Sequence, residues 1–252
     1  MAAKIISYIK SFKRIVDNKI AYNKKLAVLR QQMEEFKAQA HGDTSIPISQ
    51  NAYLYDNTGT TYVEPHYTYH PAWAARVLSQ IKPAKHIDIS SITHFGTIVS
   101  AFIPVEFYDY RPAHIILPNY ATGKADLSNL HFETNSIESL SCMHTVEHIG
   151  LGRYGDPIDY YGDVTAMKEL ARVLKVGGNL LFVTPIGIPR VEFNAHRVYS
   201  YESIIEMFSG LKIKEFSLIP DDFANVGYVT NPPAELVNSQ SWGCGCFWFT
   251  KE

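Results

Sequence analysis

Hydrophobic positions follow three different rhythms along the chain. From Ile5 to Phe36 there is no Gly or Pro, and Ile9, Phe12, Ile15 or Val16, then Leu26, Leu29, Met33 and Phe36 recur at steps of three and four. That spacing predicts an amphipathic helix, interrupted in its apolar stripe between Lys19 and Lys25, which argues against a long regular coiled coil. Residues 41–70, from His41-Gly42-Asp43 through Asn57-Thr58-Gly59 to Tyr69-His70, are rich in turn formers and tyrosines and have no period; they read as a linker or cap. Beyond them, short apolar runs alternate with helix-length segments. Strands are expected at Lys85 to Ile89, Val105 to Tyr108, before Asp126, at Ile137 to Met143, Asn179 to Thr184, Leu211 to Leu218 and Cys244 to Thr250. Helices are expected at Pro71 to Ile81, Ser91 to Phe102, Gly162 to Val176 and Tyr201 to Phe208. This alternation predicts an α/β fold: a doubly wound, mostly parallel seven-stranded sheet, its last two strands forming an antiparallel hairpin at one edge. The expected division is an arm (1–40), a linker or cap (41–70) and an α/β domain (71–252).

Composition sharpens this picture. The 252 residues are 46% hydrophobic and 19% charged, enough for a buried core, and no apolar run approaches the length of a membrane span. The net charge of −2 conceals an asymmetry: nine basic and three acidic residues give positions 1–40 a charge of +6, and 14 basic against 22 acidic give the rest −8. A body of that sign does not suit nucleic acid as a substrate. The basic arm suits self-association into a homo-oligomer, or peripheral contact with an anionic membrane surface. Lys4, Lys10, Lys13 and Arg14 interrupt any signal-peptide core, so the expected location is cytoplasmic, with any membrane contact on the inner face. Cys142, Cys244 and Cys246 contain no CxxC pair and read as packed free thiols.

In open parallel sheets ligands gather at the carboxyl ends of the strands. Asp88 lies in the first strand and Asp109 ends the second; Asp126 follows the third, His144 ends the fourth, and Pro185-Ile186-Gly187 follows the fifth. An acid just past the second strand can accept both hydroxyls of a ribose. The segment after the first strand reads Ile89-Ser90-Ser91-Ile92-Thr93-His94-Phe95-Gly96, without GxGxxG, which disfavours NAD and FAD.

Three runs carry a family resemblance: Asp126-Leu127-Ser128-Asn129-Leu130-His131-Phe132, His144-Thr145-Val146-Glu147-His148-Ile149, and Glu169-Leu170-Ala171-Arg172-Val173-Leu174-Lys175-Val176-Gly177-Gly178-Asn179-Leu180. They resemble the second half of class I S-adenosylmethionine-dependent methyltransferases. More narrowly, Glu147-His148-Ile149-Gly150-Leu151-Gly152-Arg153-Tyr154-Gly155-Asp156-Pro157 and Val191-Glu192-Phe193-Asn194-Ala195-His196-Arg197-Val198-Tyr199-Ser200 resemble the signatures of a mostly bacterial branch. The resemblance covers roughly residues 70–250. It implies S-adenosylmethionine as cofactor, with Asp88, Ser90 and Ser91 at the methionine part, Asp109 at the ribose flanked by Tyr110 and Arg111, Asp126 and Leu127 at the adenine, and His144 facing the cofactor. The glycine-rich loop of such enzymes is here Ser90, Ser91 and Ile92, and each Cβ narrows the approach.

Methyl transfer to a hydroxyl needs an aligned acceptor and a base. His148, oriented by Glu147, is the first choice of base and His144 the second. Arg153, Tyr154, Asp156, Glu192, Asn194 and His196, with Arg197, are expected to face a polar substrate, although the same residues could simply brace their loops. A set so rich in charge and hydroxyls suits a sugar, nucleotide-linked or at the end of a surface glycan, and thus polysaccharide biosynthesis. The alternative is a catalytically degenerate methyltransferase fold serving as a binding or scaffold protein in glycan assembly. His144 and His148 with Asp156 lack a third ligand at diagnostic spacing, so no metal is expected.

Overall fold

The computed structural model describes residues 2–39, 41, 45 and 47–252, and the side chains of residues 7, 10–39, 41, 45 and 47–252. Gly42 and Asp43 of the turn-rich segment, and the side chains of Lys4, Ile5 and Ile9 in the arm, lie outside the described residues. Two compact units are formed, Met1–Tyr62 and Val63–Glu252.

The first unit is dominated by helix α1 (Ala2–Gln39). Its helix runs without a break through Lys19 to Lys25, because nothing there removes a backbone donor or forces a positive φ. Phe12, Ile15, Ile20, Val28 and Phe36 are exposed, while Leu26, Leu29 and Met33 are half-buried. No described helix is long and apolar enough to cross a membrane.

The second unit begins with α2 (Pro65–Ile81). The Glu64 carboxylate accepts the Tyr67 N–H at 2.5 Å and Pro65 occupies the first turn, where its missing N–H costs nothing. The helix therefore starts before Pro71, which lies inside it and not at its start. Strands β1 (His86–Ile89), β2 (Val105–Asp109), β3 (Tyr120–Lys124), β4 (Ile137–Met143), β5 (Leu174–Ile186), β8 (Lys212–Ile219), β9 (Val229–Thr230) and β10 (Gly243–Thr250) form one sheet in the order β3-β2-β1-β4-β5-β10-β8-β9. The first five strands in that order run parallel, and β10 runs antiparallel to both neighbours. The expected antiparallel pair is thus β8 and β10, with β10 on the inner side and the short β9 added outside. Helices α3 (Thr93–Val99), α4 (Gly162–Val173), α5 (Tyr201–Met207), α6 (Phe223–Val226) and α7 (Ala234–Asn238) connect them, and β6 (Arg190–Glu192) pairs with β7 (His196–Val198) in a separate hairpin.

Leu174, Lys175 and Val176, read from the sequence as the end of a helix, belong to β5 instead. Leu174 pairs with Ile137, and Gly177, at φ +78°, donates its N–H to Lys251 at 2.8 Å. Both faces of the sheet are buried, as a parallel sheet requires. Leu180 and Phe182 pack with Leu140, Leu170, Phe208 and Phe247 on one side, whereas Leu181 and Val183 pack with Trp73, Leu78, Phe95 and Phe107 on the other.

Candidate functional site

A cleft of about 420 Å³ opens at the carboxyl ends of β1 to β4, within the ~300–1,000 Å³ usual for small ligands. Of the residues singled out by sequence it is lined by Ser90, Asp109, Tyr110, Arg111, Asp126, Leu127, His144, His148, Tyr154 and Asp156. Asp109 and Asp126 each accept, through Oδ1, the N–H two residues on, Arg111 at 2.7 Å and Ser128 at 2.8 Å. These Asx turns direct the chain away from the sheet and leave the second carboxylate oxygen for a ligand. Ser90 sits at φ +58°, the left-handed conformation that a glycine would take. Its N–H donates to Tyr108 O at 2.7 Å, its Oγ is tied to the same carbonyl, and its own carbonyl accepts the Thr145 hydroxyl at 2.8 Å.

Asp88 and Ser91 do not reach the cleft. Asp88 is wholly buried and accepts the Ser141 hydroxyl at 2.6 Å, in a chain that continues to His86. The Ser91 Oγ accepts the Met143 N–H. Both residues secure β1 to β4 and are buried within the sheet, not among the residues that line the cleft where the methionine part of the cofactor is expected.

The expected pairing of Glu147 with His148 is also corrected. Glu147 Oε1 lies 2.8 Å from His144 Nδ1, both side chains buried. Burial pushes Glu147 up to about 7 and His144 down to about 3, so the imidazole stays neutral and the contact is a hydrogen bond, not an ion pair. His144 Nε2 lies 3.4 Å from Cys244 Sγ. With both nitrogens engaged, His144 is not available as a base. His148 is held differently: its Nδ1–H donates to Ala195 O at 2.6 Å, which fixes the tautomer and leaves Nε2 as an acceptor.

The loop after β4 carries the rest. Asp156 lines the cleft, but its carboxylate accepts N–H groups of Gly150 (2.8 Å), Gly152 (3.3 Å) and Tyr154 (3.1 Å). Burial alone would raise its pKa; these bonds more than offset that and lower it. Asp156 therefore organises the loop. Arg111 lies over the Tyr154 ring at 4.7 Å and Arg153 at 5.2 Å. Arg153, Glu192, Asn194 and His196 are not among the lining residues. Arg153 donates to Ala195 O, Glu192 pairs with Arg190 at 2.7 Å, Asn194 is exposed, and His196 stacks on Trp242 at 5.7 Å between ring centroids. Arg197, buried, donates to the carbonyls of Ile149 and Tyr160 and meets Asp163 at 3.4 Å, which braces the loop from behind. Sequence reasoning passed over Thr145, Ile149 and Asp159, which line the cleft. Thr145 and Ile149 stood inside a quoted motif, but nothing in their type marked them.

A family described as "Caenorhabditis protein of unknown function, DUF268" matches residues 123–221, less than half of the chain but spanning both long motifs. No curated protein matches the sequence. Similar solved structures include TehB from Haemophilus influenzae (12% identity, TM-score 0.49, covering 78% of this chain and 64% of that one). Others are a TehB-like SAM-dependent methyltransferase from Corynebacterium glutamicum (17%, 0.48, 71% and 87%) and a putative methyltransferase from Bacillus halodurans (15%, 0.46, 69% and 97%). What decides the fold is the strand order, with five parallel strands led by β3-β2-β1 and a reversed last strand inserted beside β5. The chain has the class I methyltransferase-like fold.

In this methyltransferase-like unit, burial sets an acid limit on stability. His66 is held down at about 4, His86 and His144 at about 3, and His70 well below its ordinary value, whereas Asp88 and Glu147 are raised to about 7. On acidification below 6.5 the unfolded chain protonates those imidazoles and the folded chain does not, so each costs stability. The two carboxyls act the other way, since the folded state binds their protons first; each group contributes about 1.4 kcal/mol per pH unit. Four outweigh two. Melting temperature should fall from pH 6.5 to 4.5, and a rise over that range would contradict the assignment.

Proposed function

We propose that the chain is a cytoplasmic S-adenosylmethionine-dependent methyltransferase acting on a hydroxyl of a polar small molecule, a sugar that is nucleotide-linked or at the end of a surface glycan. The observation that carries the reading is the meeting, in one cleft, of strand-end carboxylates Asp109 and Asp126 with His148 in a fixed tautomer. The residues fit the cofactor. Ser90 keeps the left-handed turn of a glycine, and its Cβ and Oγ are drawn toward β2 by the bond to Tyr108 O. Asp109 would take the ribose hydroxyls, Asp126 the adenine edge, and buried Leu127 and Ala125 the apolar face. When bound, S-adenosylmethionine supplies an electrophilic methyl group on a sulfonium. His148 Nε2 would hold the proton leaving the acceptor hydroxyl, and Arg111 stacked on Tyr154 would limit water at the mouth of the cleft.

Titration of the full chain with S-adenosylhomocysteine tests this reading. Asp109→Ala should weaken binding about 10- to 100-fold, the loss of a charge-assisted bond to ribose. Equal affinity in the variant would remove the ribose assignment, and no binding to wild type would leave the scaffold alternative. For α1, the apolar residues exposed on a basic helix support contact with a second copy or a membrane surface, and the chemistry of the cleft does not depend on it.

A further inference from the structure

Behind the cleft wall, three elements far apart in sequence bring metal-ligating side chains together. His66 comes from the first turns of α2, His144 from the end of β4 and Cys244 from the start of β10. All three are buried, and a ligand atom of each lies within 4.8 Å of the others. We propose that His66, His144 and Cys244 bind a zinc ion that fastens α2 to the carboxyl end of β4 and the amino end of β10. This proposal does not rest on the methyl-transfer reading.

Ligand atoms around a tetrahedral zinc with Zn–N ~2.0–2.1 Å and Zn–S ~2.3 Å stand ~3.3–3.8 Å apart. His144 Nε2 and Cys244 Sγ are already 3.4 Å apart, whereas the His66 ring, stacked on His144 at 13° between planes, has to turn to direct a nitrogen at the same point. The donor set is nitrogen and sulfur, which selects zinc over magnesium or calcium. The surroundings match what holds a metal-bound imidazole. His144 turns its other nitrogen to the buried Glu147 carboxylate at 2.8 Å, the carboxylate–histidine–metal arrangement that fixes ring and tautomer. Zn²⁺ with the Cys244 thiolate and the Glu147 carboxylate sums to zero, so the ion can be buried at little charge cost. On binding, the Cys244 S–H bond is replaced by S–Zn and one proton leaves to solvent.

His70 points the same way. It lies one helical turn beyond His66, wholly buried, with its ring edge-to-face against His144 at 5.1 Å between centroids. Its Nδ1–H donates to His66 O at 2.6 Å, so Nε2 carries a lone pair, and that atom has no partner among the described residues. That unpaired acceptor stands beside the three-residue group, whose ligand atoms alone lie within 4.8 Å of one another.

The test is cobalt substitution in the full chain, prepared without a metal-binding tag and stripped with chelator. One equivalent of Co²⁺ should give a thiolate-to-cobalt charge-transfer band and intense ligand-field bands of tetrahedral form, and one equivalent of Zn²⁺ should abolish both. Cys244→Ser should lose the charge-transfer band, Cys246→Ser and Cys142→Ser should keep it, and Glu147→Gln should weaken metal affinity by about 10–100-fold. Absence of the bands in wild type overturns the proposal, whether or not any variant folds. So does a charge-transfer band that persists in a Cys244→Ser protein of native circular dichroism.

Discussion

His148→Ala is expected to slow methyl transfer by about 10²–10⁴-fold, the usual contribution of a general base, while S-adenosylhomocysteine binding stays within about twofold of wild type. The imidazole tautomer decides which nitrogen can act. Ala195 O takes the Nδ1 proton at 2.6 Å, so Nε2 is the ring's basic atom, and the residue lines the cleft. The other candidate bases are occupied: both His144 nitrogens are engaged, Glu147 is buried and bonded to His144, and the Asp156 oxygens serve backbone N–H groups. The check is initial rates with an acceptor that wild type methylates, beside a cofactor titration. A purely structural His148 would lower both readouts together. Rescue of the His148→Gly rate by added imidazole would identify the missing group as the base, and a normal rate in His148→Ala would eliminate it.

Gly150→Ala should be the most damaging single-methyl change in the loop after β4. Gly150 has φ +77°, and a Cβ there would stand inside the van der Waals shell of the Asp159 carbonyl. Backbone cannot yield as a flexible side chain can. The Asp159 N–H to Gly150 O bond (3.0 Å) and the Gly150 N–H to Asp156 bond (2.8 Å) would both be displaced. The expected cost is about 2–4 kcal/mol, a fall of about 5–15 °C in melting temperature, with lost amide-exchange protection at Gly150 and Gly152. Gly155→Ala is the control. Its φ is +81°, but nothing lies within 4 Å of the added carbon, so only the conformational cost of about 1 kcal/mol remains. Equal effects of the two substitutions would show that crowding against Asp159 is not what matters.

Period and punctuation made the sheet legible. Ile137 to Met143 was bounded to the residue, and the β-branched, apolar run at Asn179 to Thr184 lies within β5. Local signals failed where distant partners decide. Leu174 to Val176 look helical, yet pairing with Ile137 makes them strand. Pro71 looks like a helix start, yet the Glu64 carboxylate starts the helix at Pro65. The same held for the site. Strand-end residues Asp109, Asp126 and His148 come together as their positions suggested, because the strand order brings those ends to one cleft. Adjacency in sequence does not pair Glu147 with His148, because His148 is turned away by a carbonyl 47 residues on. The grouping of His66 with Cys244 could not be read at all, since only the fold joins α2 to β10. The four-residue spacing of His66 and His70 was the one visible sign, and it lay in a segment read as linker.

The adenosine position is the central claim, and a crystal grown with S-adenosylhomocysteine tests it most directly. The account predicts a ribose against the free carboxylate oxygen of Asp109, adenine beside Asp126 and Leu127, and the amino-acid tail passing Ser90. Density for the nucleoside elsewhere, or a cleft closed by its own side chains at saturating ligand, would contradict it.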